Sequence, residues 1–185
     1  MSLTPSNMLP LGTAMPSFQL PNTNFGGEFS ATELVGKISV VAFICNHCPF
    51  VIHLKNKLAE FGKRVQSDGV AVVAISSNDV RTHPQDGPVE MKQDATENGY
   101  TFPYLYDKTQ DVARAFDAAC TPEFYLFDAE GKLAYRGQFD ASRPGNNLPV
   151  TGEDLLAAVN ALVCGKRPNN QQTPSVGCNI KWRQG

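Results

Sequence analysis

The spacing of hydrophobic residues along the chain predicts strands that alternate with helices. Runs of apolar residues, mainly β-branched or aromatic, indicate buried strands at residues 38–44, 70–75, 104–106, 124–128 and 133–137. Apolar side chains at helical spacing predict helices over residues 49–69, 88–98, 107–116 and 151–165. This order predicts an α/β sandwich of three layers, in which a mixed sheet carries helices on both faces and a hairpin forms one antiparallel edge.

The two ends of the chain differ from this pattern. Residues 1–29 are predicted to be a leader with short strands around residues 18–20 and 25–29, and residues 30–165 form the domain. Residues 166–185 are rich in Asn, Gln and Pro but finish with apolar anchors, which predicts a tail packed on the domain.

Two polar segments inside the domain carry local signals. Residues 30–33, Ser-Ala-Thr-Glu, form a capping-box pattern that opens a short helix ended by Gly36. Residues 76–87 are polar and predict an exposed loop.

Composition narrows the classes of function. A chain of 185 residues with a formal net charge of −2 lacks the excess of basic residues that is typical of proteins that bind nucleic acid or an anionic membrane. Its apolar runs are shorter than the roughly 20 residues needed to span a bilayer, and its start lacks the basic and apolar parts of a secretion signal. We therefore expect a cytoplasmic protein without membrane or nucleic-acid partners.

Cysteine supplies the strongest chemical signal. The chain has five cysteines, of which only Cys45 and Cys48 are close in sequence, and they fall between a predicted strand and a helix that opens with Pro49. A sulfur at a helix N-terminus faces backbone N–H groups and the positive end of the helix dipole, which can lower a cysteine pKa to roughly 3.5–7.5. The pattern predicts disulfide exchange in which Cys45 attacks and Cys48 resolves.

Other interpretations of this loop remain open. His47, if protonated, would stabilise a thiolate, or it is an exposed histidine without a role. Cys45, Cys48 and either His47 or His53 would also suit copper or zinc, although a closed structural zinc site needs four ligands. Two buried thiols that only pack against the core are a further alternative.

The residues around this loop resemble the thioredoxin-like redoxin superfamily, and within it the peroxiredoxin-like branch known as alkyl hydroperoxide reductase/thiol-specific antioxidant (AhpC/TSA). The resemblance covers most of the chain and rests on residues 11–18, 43–49, 102–107, 120–128, 135–140 and 174–182. It implies a thioredoxin-like fold and a cis peptide bond between Thr121 and Pro122, which would face the two cysteines and shape the substrate surface.

The sequence departs from thioredoxin at two positions. Ile44 stands where thioredoxin has a tryptophan, and Ser39 stands where it has a buried aspartate that moves protons. Glu123, directly after Pro122, is a candidate to replace that acid by accepting a proton from Cys48. A solvated carboxylate at the end of the strand is the slightly favoured alternative.

The departure from true peroxiredoxins concerns peroxide binding. If Cys48 aligns with their peroxidatic cysteine, Cys45 takes the place of their threonine, and the expected arginine position near residues 121–122 holds none. Rapid peroxide reduction would then lack its electrostatic stabilisation. A thiol peroxidase (antioxidant) with Cys48 as peroxidatic cysteine is therefore the second hypothesis, after thiol–disulfide oxidoreductase.

The remaining cysteines are secondary candidates. Cys120 paired with Cys178, or Cys178 paired with Cys48, would form a second disulfide that stores or relays electrons, whereas two separate thiols are the simpler expectation. Cys164, at a predicted helix end, is expected to pack as a small hydrophobic residue. No cofactor is expected, because sulfur carries the electrons, and the predicted partners are a protein or small-molecule disulfide or thiol and an electron donor of unknown identity.

Overall fold

The computed structural model describes residues 3–184. Residues 1 and 2 of the predicted leader and residue 185 of the predicted tail lie outside the described residues. The strands are β1 (Leu3–Pro5), β2 (Gln19–Pro21), β3 (Glu28–Ser30), β4 (Ser39–Phe43), β5 (Ala71–Ser76), β6 (Tyr104–Tyr106), β7 (Cys120–Thr121), β8 (Glu123–Phe127), β9 (Leu133–Gly137) and β10 (Val176–Asn179). The α-helices are α1 (Pro49–Ser67), α2 (Pro88–Asn98), α3 (Asp111–Ala115) and α4 (Glu153–Val163). None of the helices in residues 3–184 combines the length and apolar character needed to cross a membrane.

A five-stranded mixed sheet forms the middle of the molecule, with strand order β6-β5-β4-β8-β9. Strands β4, β5 and β6 run parallel, and β8 and β9 are antiparallel to their neighbours. The parallel strands are joined through α1 and α2, as parallel connections require. The prediction of a mixed sheet closed by an antiparallel hairpin is confirmed.

Alternate residues of the central strands belong to two separate hydrophobic cores, one on each face of the sheet. Val40 and Ala42 of β4 pack with α1, α2 and α4, whereas Val41 and Phe43 pack with α3 and the 3₁₀ turn at Ala31–Leu34. Because successive side chains of a strand point to opposite faces, burial of all five β4 residues requires cover on both sides. This arrangement confirms the predicted three-layer α/β sandwich.

A second, three-stranded sheet joins the two ends of the chain, in the antiparallel order β1-β10-β7. Cys178 of β10 lies opposite Thr121 of β7, and Asn179 lies opposite Cys120. Neither β1 nor β10 is predicted from the sequence, because strands of three and four residues containing Pro5 and Gly177 show no hydrophobic alternation. Through β10 the tail lies beside the residue that precedes Pro122.

The expectation of an exposed loop at residues 76–87 is wrong for much of that segment. Ser76, Asn78 and Asp86 are buried, and Asn78 donates a hydrogen bond to Asp86 at 2.8 Å. Buried polar side chains are tolerated where they bond one another, so polar composition alone does not place a loop in solvent.

Helix limits also differ from expectation in small ways. The capping box of Ser30 and Glu33 is present but opens a 3₁₀ turn, not an α-helix. Helix α3 begins only after Gln110, and α4 has Gly152 at its N-cap where Thr151 was expected.

One glycine of α1 is required by packing. A Cβ added at Gly62 would lie 2.6 Å from the ring of Phe102, a fully buried side chain. Gly62→Ala is expected to lower the free energy of unfolding by about 1–3 kcal/mol despite its better helix propensity, because the core cannot take the extra methyl group. Denaturant titration measures this loss. Asn56→Ala, on the exposed face of the same helix, is the control, and equal stability of both variants would contradict the packing argument.

Candidate active site

The loop that carries Cys45 and Cys48 connects the end of β4 to the start of α1. Pro49 opens the helix and Cys48 is its N-cap residue. The two thiols are close enough for each to shift the pKa of the other. Both residues are buried, with exposures of 1% and 0%. The structure therefore brings the two sulfurs together at a helix N-terminus and beneath a covering layer of chain.

The two sulfurs differ in acidity. The neighbouring Cys45 thiol has the largest effect on Cys48, and although burial opposes it, the Cys178 thiol and the backbone N–H groups of Val51 and Cys178 also lower the Cys48 pKa, to about 5. The pKa of Cys45 is raised well above its usual value by the neighbouring Cys48 thiol, by burial and by the charge of Asp86. The sulfurs therefore titrate as a coupled pair in which Cys48 is the more acidic group.

Thr121 contacts both sulfurs. Its Oγ1 lies 3.4 Å from Cys45 Sγ, and its carbonyl oxygen accepts a hydrogen bond from a protonated Cys48 thiol at 3.2 Å. The Thr121–Pro122 peptide bond is cis, as the family resemblance implied. Pro122, with Phe50 and Val176, borders a shallow groove between α1 and β10.

Asp86 holds the loop that carries Cys45 and Cys48 in place, and it was not identified from the sequence. Its Oδ1 accepts hydrogen bonds from the backbone N–H groups of Asn46 (2.8 Å) and His47 (3.3 Å). Its Oδ2 lies 2.6 Å from His47 Nδ1 and 2.8 Å from the amide nitrogen of Asn78. Burial raises the pKa of Asp86, but these bonds outweigh it and the net pKa is lowered. An acid in a polar turn gives no periodic signal, so only the fold shows its contact with the loop.

His47 is therefore bound to a carboxylate. Its ring also stacks on the ring of His83, with a centroid distance of 4.8 Å, so a second histidine lies beside the loop. Its influence on a cysteine thiolate remains a prediction. His53, the other candidate histidine, contacts Ser142 Oγ at 2.6 Å.

Glu123 is not the solvated charge that was slightly favoured. It is fully buried, accepts a short hydrogen bond from Ser6 Oγ, and accepts two more from the backbone N–H groups of Ala119 (2.8 Å) and Cys120 (3.2 Å). Its carboxylate also lies 3.8 Å from Cys120 Sγ. These contacts give Glu123 a structural role at the turn before Pro122, and proton transfer from Cys48 stays an untested expectation.

The three remaining cysteines lie in different surroundings. Cys178 Sγ is 2.8 Å from Cys48 Sγ. Cys120 precedes Thr121 in β7, so its side chain extends to the opposite face of that strand. Burial, and to a lesser extent the charge of Glu123, raises the pKa of Cys120 strongly. Cys164 is exposed at the end of α4, which corrects the expectation of a packed residue.

A compact set of metal-ligand types exists at the site, although it is not the predicted one. Ligand atoms of Cys45, His47 and Asp86 lie within 4.8 Å of one another. Asp86 Oδ2 already bonds His47 and Asn78, so a metal would have to displace those contacts. The arrangement is explained by hydrogen bonding, and metal binding remains an alternative hypothesis.

Comparison with known proteins identifies the family. Residues 11–136 match the model of the AhpC/TSA family, and the chain belongs to that family. A 1-Cys peroxiredoxin, PER1 of Zea mays, is 26% identical over 163 residues, which are 83% of this chain and 65% of that protein. The chain therefore spans less than two thirds of that curated relative.

Solved structures confirm the thioredoxin-like fold. An uncharacterized conserved protein from Geobacillus kaustophilus is 48% identical, with a TM-score of 0.98 over 100% of this chain and 98% of that one. A hypothetical protein from Sinorhizobium meliloti 1021 is 46% identical, with a TM-score of 0.95 over 98% of this chain and 100% of that one. A secreted disulfide oxidoreductase of Mycobacterium tuberculosis, 18% identical, shares the fold with a TM-score of 0.61 over 78% of this chain and 96% of that one.

The location of the thiolate can be tested without chemical access to the sulfurs. Ultraviolet absorbance of thiolate in the reduced protein is expected to titrate with a midpoint near pH 5, and Cys48→Ser should abolish this transition. Cys45→Ala should move the midpoint to higher pH because it removes the main donor, whereas Cys45→Ser, which keeps an O–H donor, should move it less. Loss of the transition in Cys45→Ser but not in Cys48→Ser would place the thiolate on Cys45 instead.

Substitution of Asp86 tests its role in holding the loop. In Asp86→Asn an amide N–H₂ would face donors from Asn78, His47 or Asn46, so the free energy of unfolding is expected to fall by about 2–4 kcal/mol at neutral pH. Because the pKa of Asp86 is lowered in the folded state, its stabilisation is present above the unfolded pKa and is lost as pH falls through the folded value.

Denaturant titrations at several pH values measure this effect, with Asp68→Asn on the exposed end of α1 as the control. The difference between Asp86→Asn and the native chain should shrink in acid. A constant difference at every pH would contradict the argument.

Proposed function

We propose that this protein is a thiol–disulfide oxidoreductase that works through a reversible disulfide between Cys45 and Cys48. The observation that carries the proposal is the pair itself, in which two buried thiols lie together at the start of α1 and each shifts the pKa of the other. AhpC/TSA membership supports thiol chemistry of this general class. The substrate class is a disulfide or thiol, carried by a protein or a small molecule.

The reaction follows thiol–disulfide exchange. A thiolate of the pair attacks one sulfur of a substrate disulfide, a mixed disulfide forms, and the other substrate sulfur leaves as a thiolate. The second cysteine then attacks the mixed disulfide, forms the Cys45–Cys48 bond and releases the second substrate thiolate. The Cys45 proton and one proton from solvent complete the two substrate thiols.

The order of the two sulfurs differs from the assignment made from spacing. That assignment gave the attack to Cys45, the first cysteine of the loop. The pKa directions favour Cys48 as the attacking thiolate and Cys45 as the resolving thiol, because the pKa of Cys48 is lowered and that of Cys45 is raised. We carry this order into the proposal.

Burial limits which substrates reach the pair. Cys45 and Cys48 lie under Thr121 and β10, so the covering chain must move before a protein disulfide can approach. A small disulfide needs a smaller opening. The groove lined by Phe50, Pro122 and Val176 is the entrance we favour, because it borders both α1 and β10.

Peroxide reduction is the second candidate function, favoured by the thiolate at Cys48 and the similarity to a 1-Cys peroxiredoxin. Thiols and backbone amides, rather than a guanidinium, are the groups that lower the Cys48 pKa. A hydroperoxide would therefore meet a nucleophile without the cationic partner that stabilises the developing charge. We rank this function below disulfide exchange.

Turnover assays with glutathione disulfide and with insulin test the proposal. In a Cys178→Ser background, which removes the other sulfur next to Cys48, Cys45→Ala and Cys48→Ala should each lower disulfide reduction at least about 100-fold, since each residue is one half of the bond that forms. Cys164→Ser, at an exposed thiol, is the matched control and should retain full activity.

The competing functions give different results in the same variants. A peroxidase would consume hydroperoxide rapidly and leave sulfenic acid on Cys48 in Cys45→Ala. A metal carrier would purify with bound copper or zinc that is lost in both cysteine variants. Disulfide turnover unchanged by Cys45→Ala in the Cys178→Ser background would contradict the proposal. The expected cytoplasmic location is part of the same proposal, since a reducing compartment keeps the pair as thiols.

A further inference from the structure

The sulfur of Cys178 is in contact with the redox pair. Its Sγ lies 2.8 Å from Cys48 Sγ, although the two residues are 130 positions apart in sequence. A disulfide bond is about 2.05 Å long, so the two sulfurs need to approach by less than about 1 Å to bond. Cys48 therefore has two neighbouring sulfurs, those of Cys45 and Cys178.

The position of Cys178 is fixed by the backbone around it. In β10 it lies opposite Thr121, the residue that contacts Cys45 and Cys48. Paired residues of neighbouring strands extend to the same face of a sheet, which directs Cys178 toward the pair and Cys120 away from it. Of Cys120 and Cys178, only Cys178 is therefore directed toward Cys48 by the strand register.

A glycine permits this close approach of the tail. A Cβ added at Gly177 would lie 2.0 Å from the carbonyl oxygen of Thr121 and 2.7 Å from its carbonyl carbon. Only a residue without a side chain lets β10 lie directly on the Thr121–Pro122 peptide.

The chain after β10 is held as well. The carbonyl oxygen of Lys181 accepts hydrogen bonds from the backbone of Asp79 (2.9 Å) and the side chain of Gln110 (2.8 Å). Strand β10 therefore pairs with β1 on one edge and β7 on the other, and the chain is also held just after the strand ends. This strand presents Cys178 to Cys48.

We propose that Cys178 is a third redox-active cysteine, which alternates with Cys45 as the disulfide partner of Cys48. The inference rests on the proposed function, because the Cys45–Cys48 disulfide is its starting point. It adds a second oxidised form to the cycle, in which the tail strand is covalently linked to the start of α1.

The step is an internal disulfide exchange that needs no further oxidant. The Cys178 sulfur, as thiolate, attacks Cys48 Sγ; the Cys48–Cys178 bond forms and the Cys45–Cys48 bond breaks. Cys45 leaves with the bonding electron pair and takes up the proton that Cys178 lost. Both forms contain one disulfide and one thiol, so they are isomers at the same level of oxidation.

This isomerism changes what happens at each sulfur. The exchange returns Cys45 to the thiol state, next to His47 and Asp86, while the oxidising equivalent is stored on the tail. The link also fixes β10 over the Thr121–Pro122 peptide, where it covers the pair. A substrate thiol would then meet Cys178 or Cys48 instead of Cys45.

Disulfide mapping tests the exchange directly. The full chain is equilibrated in glutathione buffers of several ratios, quenched in acid, alkylated and digested without reduction. Mass spectrometry should find both Cys45–Cys48 and Cys48–Cys178, in a ratio that does not change with the glutathione ratio because the forms are isomers. Cys45→Ser should form Cys48–Cys178 alone, and Cys164→Ser should match the native chain.

A backbone variant tests the geometry with all cysteines present. Gly177→Ala should displace β10 and lower the proportion of Cys48–Cys178 at least about tenfold relative to Cys45–Cys48. Gly145→Ala, in an exposed loop with open space around it, is the glycine control. Its positive φ strains the backbone without displacing β10, so it should leave the ratio unchanged and shows that strain alone does not alter it.

The outcomes separate this inference from the function on which it rests. Absence of Cys48–Cys178 from both the native chain and Cys45→Ser, while Cys178→Ser still forms Cys45–Cys48, overturns the inference and leaves the function standing. Absence of Cys45–Cys48 from Cys178→Ser overturns the proposed function itself. Circular dichroism of each variant establishes that the fold is retained.

Discussion

The proximity of the Cys45 and Cys48 thiols at the start of α1 is the constraint on which the chemistry of this site depends. It arises because β4 ends and α1 begins within a few residues, which places Cys48 at the N-cap and Cys45 three residues before it. The neighbouring thiols and backbone N–H groups lower the pKa of Cys48, and the neighbouring Cys48 raises that of Cys45. A stabilised thiolate favours the reduced pair over the disulfide, so the same surroundings influence both nucleophilicity and reduction potential.

Burial gives the site a second constraint. Asp86 holds the loop that carries Cys45 and Cys48, and Thr121 and β10 cover that loop. This cover limits the access of both oxidants in solution and bulky partners to the two sulfurs. Strand β10 lies between β1 and β7, so the cover belongs to the small sheet that joins the two ends of the chain. In the proposed cycle this sheet must move to admit a substrate, and a Cys48–Cys178 disulfide would hold it in place.

The predictable part of this structure is the part with a strong repeating pattern. The buried strands at residues 38–44 and 70–75 and the helix after Pro49 follow from periodicity, and they alone place the cysteine pair between strand and helix. Asp86 and β10 were missed because an acid in a turn and a four-residue strand with glycine have no period, and their positions depend on contacts between distant parts of the chain. The order of attack stays a prediction in both forms: spacing alone suggested Cys45 first, whereas the order proposed above uses the neighbours of each sulfur, which spacing does not show.

A redox titration of Cys178→Ser tests the central claim most directly, because that variant isolates the Cys45–Cys48 pair. We expect a single two-electron transition confined to these two cysteines. Its potential should lie above the roughly −270 mV of thioredoxin, since the Cys48 thiolate stabilises the reduced form. If both cysteines remained fully alkylatable in every buffer up to strongly oxidising glutathione, the pair would not form a disulfide and the account would be wrong.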